Sequence, residues 1–393
     1  MREWLGRHAP SGDALRVVAF FAPLFAAAGV GMPFAPIWFE SRGLTPAEIG
    51  TMMGVGMWIR FGGHLAVGEI ADRLGERRRV LIALGLVALA MNVAYIPVQG
   101  LWQVVPIYLI ATLAISPMFS LGENLALLTV NGRGLDYGRV RLWGSVSFMA
   151  VSLGAGAILV GRSADWVLGM LILAYGLTAV GAYLLPDVRT ERSERRKGGA
   201  LHLLRLPTFW IFLLASGAVQ TSHGAYYAFS TLHWRQSGLA ESTIGFLWAI
   251  GIAAEILLFA YATRATDRFG TALLIGIGGV SGILRWSLTA VTVEPAALLV
   301  LQTLHALTFC AAHLGAMQFI VRAVPEGLSA RAQSVHSAFA IGALMGVSMT
   351  LAGWVFTALG GAMTFAVMAV FSAVGVCASF LLARRWDGER LAL

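Results

Sequence analysis

Residues 43–75 read GLTPAEIGTMMGVGMWIRFGGHLAVGEIADRLG, and 195 positions later residues 238–270 read GLAESTIGFLWAIGIAAEILLFAYATRATDRFG. The two stretches align without a gap. Eight identities fall in register: Gly43, Leu44, Ile49, Gly50, Gly56, Asp72, Arg73 and Gly75 meet Gly238, Leu239, Ile244, Gly245, Gly251, Asp267, Arg268 and Gly270. Each copy begins in a turn, crosses an apolar run and ends in a charged loop. A chain that repeats itself in this way is built twice. Parallel repeats of apolar spans, related by an axis along the membrane normal, hold a ligand near the midplane between the halves.

The remaining sequence has the composition such a body needs. Of 393 residues, 58% are hydrophobic and 12% charged, against about 25% charged in a soluble domain. Apolar stretches recur at about 16–39, 46–69, 79–98, 102–129, 141–161, 165–185, 207–232, 242–263, 271–292, 296–320, 333–357 and 362–383, each close to the roughly 20 residues a helix needs to cross hydrocarbon. An open sheet would leave backbone groups unpaired in lipid. The expected fold class is therefore an all-α integral membrane protein, with twelve transmembrane helices in two pseudo-symmetric six-helix bundles. The charged, glycine-bearing run TERSERRKGG marks a linker at 187–206, between an N-terminal bundle at 1–186 and a C-terminal bundle at 207–393.

Charge placement sets the orientation. With the N-terminus inside, 23 arginines and lysines fall on inner segments, and only Arg42, Arg162 and Arg235 fall outside. Both termini are thus expected in the cytoplasm of a bacterial-type inner membrane. Arg2, Arg7 and Arg16 before the first span resemble a signal peptide's charged end, but the further spans behind it favour a retained helix. The net charge of +8 is a topology signal, and no nucleic-acid partner is expected. Lys197 is the single lysine, so the chain has no G-x-x-x-x-G-K-[ST] phosphate loop and no intramembrane Schiff-base lysine. Cys310 and Cys377 lie in apolar runs, which offers neither a disulfide framework nor a cysteine metal site. No metal or resident cofactor is expected.

Ionisable groups inside spans cost roughly 2.5–3.5 kcal/mol each on insertion scales, so each needs a partner or a wet cavity. The set is Arg60, Glu123, Arg141, Glu255 and Arg285, with His64, His223, His305, His313 and His336. The repeat places Arg60 on Glu255, opposite charges at equivalent places, which predicts that both face one cavity. Three arginines against two glutamates leave one positive charge, suited to an anionic substrate that a guanidinium grips bidentately. Glu255 and His305 lead as proton carriers, followed by Glu123: a carboxylate in a partly dry site neutralises readily, and imidazole titrates near neutrality. His313 lies eight residues after His305, about 80° round an α-helix, so both could line one broad face. His64 and His336 read as hydrogen-bonded structural residues. Gly50, Gly54, Gly56, Gly144, Gly154, Gly156, Gly342 and Gly346 make small faces where helices approach closely.

The loop after the second span, Gly68-EIA-Asp72-Arg73-L-Gly75-E-Arg77-Arg78-Arg79, resembles the G-x-x-x-D-R-x-G-R-R motif of the major facilitator superfamily. A weaker copy stands at Asp267, Arg268 and Gly270. The resemblance implies a latch at the inner gate that does not contact substrate. The runs DYGRVRLWGS from Asp136, SHGAYYAFS from Ser222, GFLWAIGIAAEIL from Gly245 and LQTLHALTFCAAHLGAM from Leu301 are similar to the phenylpropionate permease family, proton-coupled facilitators. A more distant resemblance is to lactose permease. It implies a substrate-contacting role for Glu123 and Arg141, a stacking place at Phe148, and a coupling role for Glu255, Arg285 and His305. The glutamate that carries the proton there is replaced by Thr308. The function expected is proton-coupled symport of a small aromatic carboxylate by a monomer. Arg141 would clamp the carboxylate with Arg285 or Arg60 assisting, and Phe148, His223, Tyr226 and Tyr227 would line the site, with His313 near the coupling group. A sugar or nucleoside symporter is the main alternative. An intramembrane enzyme is a weaker one, since Gly279-Val280-Ser281-Gly282 matches only a G-x-S-x fragment.

Overall fold

The computed structural model of the chain describes residues 12–131, 137–187, 200–325 and 328–391. Arg2, Arg7, Asp136 and most of the expected linker lie outside the described residues. The first six spans are α1 (Gly12–Ser41), α2 (Pro46–Leu74), α3 (Arg77–Ala94), α4 (Leu101–Asn131), α5 (Tyr137–Leu159) and α6 (Asp165–Leu184). The seventh, α7, is broken into Pro207–Thr221 and Gly224–Gln236, and α8 (Glu241–Ala260) and α9 (Thr271–Val291) follow. Span α10 consists of Pro295–Thr303, a π-helical turn at Ala306–Ala311 and Ala312–Ala323. Span α11 begins as Ser329–His336, winds as a π helix over Ser337–Leu344 and enters Met345–Arg385, which bends at Gly360 (φ 79°) and continues as α12.

These bounds match the twelve expected spans to within a few residues. Eight of the helices meet a membrane-span criterion by length and composition alone, the stretch holding α11 and α12 counting as one. The others fall short for visible reasons. Arg60 and several glycines dilute α2, α3 opens on three arginines, and α7 is interrupted. Large apolar side chains such as Trp102 and Val321 point outward, 87% and 71% exposed, as helices facing lipid require.

The repeat is visible in the backbone. Helix α1 ends at Gly43 (φ 85°) and α7 at Gly238 (φ 90°), both left-handed, where a Cβ would be strained. The following amide reaches back five residues in both cases, Leu44 to the Phe39 carbonyl (3.3 Å) and Leu239 to the Trp234 carbonyl (3.0 Å), closing the same Schellman turn. Thr45 then caps α2 in a reciprocal box with Glu48. The copies diverge at their far ends, where Gly75 is left-handed (φ 66°) and Gly270 is not (φ −68°).

Packing follows the same doubling. Helix α1 lies on α5 and α6, α2 on α4, and α3 on α4 and α6; six helices later, α7 lies on α11 and α12, α8 on α10, and α9 on α10 and α12. The halves meet along two glycine seams. Gly50 and Gly54 of α2 face Met349, Gly353 and Gly346 of α11, and Ser152 and Gly156 of α5 face Glu241 and Gly245 of α8. Trp58 Nε1 donates to the Ala343 carbonyl at 3.2 Å. Farther out, toward the end of the bundle away from the described termini, the Ala47 amide donates to Thr357 Oγ1 at 2.9 Å, and Arg235 stands 3.8 Å from Glu40 and 3.2 Å from Glu241.

Candidate substrate and proton site

Four of the largest fully buried side chains, Arg285, Trp286, Tyr226 and Trp248, surround one point in the second half. Helix α9 carries Arg285 inward, where its guanidinium lies 4.7 Å from the Tyr226 ring and 4.4 Å from the Trp286 ring. Aromatic faces offset part of the cost of a dry cation. Its NH1 group donates to His305 Nδ1 (2.9 Å) and Thr308 Oγ1 (3.1 Å), and NH2 donates to Gln302 Oε1 (2.7 Å). His305 Nε2 stands 3.5 Å from Glu255 Oε1. His223, at the break in α7, sets Nδ1 on the Gln220 carbonyl and Nε2 on Thr308 Oγ1, both at 3.0 Å. Tyr226 stacks on Trp248 with ring centroids 4.4 Å apart, and Tyr227 stacks on His223.

The first half presents a simpler group. Arg141 Nε bonds Glu123 Oε1 at 3.1 Å, with both side chains roughly a third exposed, and its guanidinium lies 4.2 Å from the Phe25 ring. Phe25 is half-buried and packs edge-on against Phe119 at 5.1 Å. Phe148, from the same helix as Arg141, is buried in the core, with its backbone against Gly29. Arg285 and Arg141, one from each half, are the cations whose charges bear on Glu255.

Arg60 and Glu255 make separate bonds. Arg60 Nε donates to Ser116 Oγ (2.9 Å) and NH1 to the Met57 sulfur (3.4 Å); Ser116 bonds His64, which bonds Ser120. Arg60 has no carboxylate partner among the described residues, and Arg285 likewise bonds only uncharged groups. His336 bonds Ser216 at 3.1 Å and stacks on Phe212. His305, Phe309 and His313 stack in sequence, with interplanar angles of 19° and 4°, because the π turn takes up part of the angular offset an α-helix would impose.

The loop motif forms a cleft of about 210 Å³ lined by His64, Gly68, Asp72, Arg77, Ser120 and Asn124, among others. Arg77 pairs with Asp72 at 3.4 Å and Arg73 with Glu69 at 2.6 Å. Arg78 reaches the Tyr183 carbonyl and covers its ring at 5.4 Å. Gly75 supplies the left-handed cap of α2. In the second copy Arg268 lies over Phe269, Gly270 precedes α9, and the side chain of Asp267 lies outside the described residues.

Two site neighbours have little signal in the sequence. Phe25 sits in the apolar run FFAPLF with nothing to separate it from Phe20 and Phe21, and Gln302 is one uncharged residue at the start of α10.

Twelve spans in two matching sets, each with a charged group among its helices, define a multi-pass transporter of the major facilitator type. Residues 14–367 match the MFS_1 like family, and the chain belongs to that family. The probable 3-phenylpropionic acid transporter of Escherichia coli (strain K12) is 32% identical over 343 residues, covering 86% of this chain and 89% of that one. The maltose permease of Geobacillus stearothermophilus is 25% identical over 395 residues, 93% of each. The crystal structure of the nucleoside transporter NupG superposes with a TM-score of 0.81 at 16% identity, covering 95% of this chain and 99% of that one. These relatives are transporters and not enzymes, which sets the intramembrane-enzyme reading aside.

Proposed function

We propose that this chain is a proton-coupled symporter of a small aromatic carboxylate, moving it by alternating access between the two halves. The observation that carries the reading is a charged group inside each half. Arg141 with Glu123 stands on one half, Glu255 with His305 and Arg285 stands on the other, and the Arg141 charge acts on Glu255. A substrate carboxylate competes with Glu123 for Arg141, which offers charge-assisted, bidentate donors. Arg60 adds long-range attraction without a carboxylate of its own. The ring has Phe25 beside Arg141 and half-buried Tyr227 on the facing side, while Phe148 and Tyr226 back these surfaces from within the core. The similarity to a probable 3-phenylpropionic acid transporter supports this substrate class. The arginine distribution supports an inner-membrane protein with both termini cytoplasmic, acting as a monomer with protons as the coupling ion.

The partly exposed Glu123–Arg141 pair also offers an acceptor beside donors, a pattern suited to sugar or nucleoside hydroxyls, and this is the second reading. Uptake into proteoliposomes under an inward proton gradient separates the two, using labelled 3-phenylpropionate, maltose and uridine. Gradient-driven accumulation of the acid alone is expected. Accumulation of only the neutral compounds would overturn the carboxylate reading.

A further inference from the structure

The hydrogen bonds around Arg285 run in one direction only. Two groups in the chain have no choice of role, because a carbonyl only accepts and a guanidinium only donates. The Gln220 carbonyl lies 3.0 Å from His223 Nδ1, so Nδ1 carries hydrogen and Nε2 of the neutral ring accepts. Its partner at 3.0 Å, Thr308 Oγ1, therefore donates its one proton to His223 and accepts from Arg285. The competing bond from Thr308 to the His305 carbonyl is longer, 3.3 Å. It would require a doubly protonated His223 beside a buried arginine, a costly pair of like charges. On the other side, His305 Nδ1 accepts from Arg285 at 2.9 Å, so its hydrogen sits on Nε2 and points to Glu255. Both NH1 hydrogens are used, and Gln302 holds NH2.

The lone pair that would take a proton is thus occupied on both histidines while Arg285 is in place. We infer that Glu255, and neither His223 nor His305, carries the coupling proton, with Arg285, fixed by Thr308 and Gln302, holding both histidines as neutral hydrogen-bonding groups. The charged and titratable groups facing Glu255 are His305 and Cys310 from α10, Arg285 from α9, Arg141 from α5, and Tyr226 and Tyr227 from α7. With the site empty, Arg285 and Arg141 are matched by two carboxylates, Glu255 and Glu123. A substrate carboxylate on Arg141 adds a third acidic group, and Glu255 binds one proton from water in response. On the other side of the membrane the carboxylate leaves and Glu255 returns that proton to water. Each turnover then moves one anion and one proton, with no net charge. Thr308 in place of a glutamate is consistent with this arrangement, since its hydroxyl positions the arginine and the proton rides elsewhere.

This inference rests on the symport reading, and the test separates the two. The full chain, Glu255→Gln and His305→Gln are reconstituted, and labelled 3-phenylpropionate uptake, internal pH and exchange without a gradient are measured. For the unmodified chain, a gradient of about one pH unit supports roughly tenfold accumulation at one proton per anion, since 1.4 kcal/mol is a factor of ten. Glu255→Gln should lose accumulation and substrate-linked proton entry, yet still exchange internal for external substrate. His305→Gln keeps an acceptor for Arg285 and a donor for Glu255, so uptake should slow while remaining tied to one proton. Accumulation by Glu255→Gln, or proton-free transport by His305→Gln, overturns the inference. If Glu255→Gln does not insert, the His305→Gln result decides alone. Proton-free uptake by the unmodified chain sinks the symport reading itself, and this assignment with it.

Discussion

The α5–α8 seam makes Gly245→Ala a sharp test of how the halves move. A Cβ at Gly245 would press on the Ser152 carbonyl oxygen and stand 3.2 Å from its carbon and 3.3 Å from Gly156 Cα. All three are backbone atoms, so no rotamer change relieves the contact and the helices must separate. Overpacking of this kind costs about 1–3 kcal/mol. The cost falls only on the arrangement with the seam closed, so the equilibrium should shift about 5–150-fold toward the arrangement in which this end opens. The readout is a distance distribution between spin labels on Val160→Cys and Glu294→Cys, exposed positions on opposite halves at that end, in a Cys377→Ser background. A longer-distance population should grow in Gly245→Ala, with little change in melting temperature. An unchanged distribution with a lowered melting temperature would mean that the glycine serves static packing, and the reasoning would be wrong.

Three other outcomes are expected. Arg141→Gln should raise the KM for 3-phenylpropionate roughly tenfold to hundredfold, the worth of a charge-assisted bond of about 1.5–3 kcal/mol; an equal loss for an uncharged substrate would refute the carboxylate clamp. Phe25→Leu keeps apolar bulk but removes the ring, so affinity for an aromatic acid should drop by the aromatic contribution of about 0.5–1.5 kcal/mol, whereas a cyclohexyl analogue should bind as before. Thr308→Val is nearly isosteric and strips the hydroxyl that links Arg285 to His223; stability should fall by about 1–3 kcal/mol, measured as a lower melting temperature in detergent, and an unchanged midpoint would show that the hydroxyl is dispensable.

The elements that depend on composition and periodicity were legible in the sequence. Span boundaries follow from apolar runs, and the duplication at 43 and 238 reappears as two glycine turns with matching backbone angles. The loop motif was likewise readable, because Gly75 has a backbone reason to be glycine. Side-chain neighbours were less accessible. Arg60 and Glu255 stand at equivalent places in the repeat, yet one bonds Ser116 and the other His305. Sequence position shows that a charge lies within the membrane but not which way its helix turns it. Helix irregularities account for much of the difference. The break at Ser222 and His223 and the π turns at Ala306–Ala311 and Ser337–Leu344 leave no mark in an apolar pattern, and they set the facing of His223, His305, Thr308 and His313. Phe25 stayed hidden because an aromatic in an apolar run has no periodic signal of its own.

The paired turns at Gly43 and Gly238 have a mechanical consequence. Each joins two long helices through a tight, fully hydrogen-bonded corner with almost no slack. Neither corner can serve as a hinge, so α1 with α2, and α7 with α8, swing as stiff forks. Any stroke delivered at the centre must then arrive undamped at both ends of the fork. The glycine seams work as bearings, surfaces where backbone lies against backbone with few side chains between. A shift of charge balance around Glu255 is small in distance, and such a linkage converts it into movement at the membrane surface without a dedicated relay.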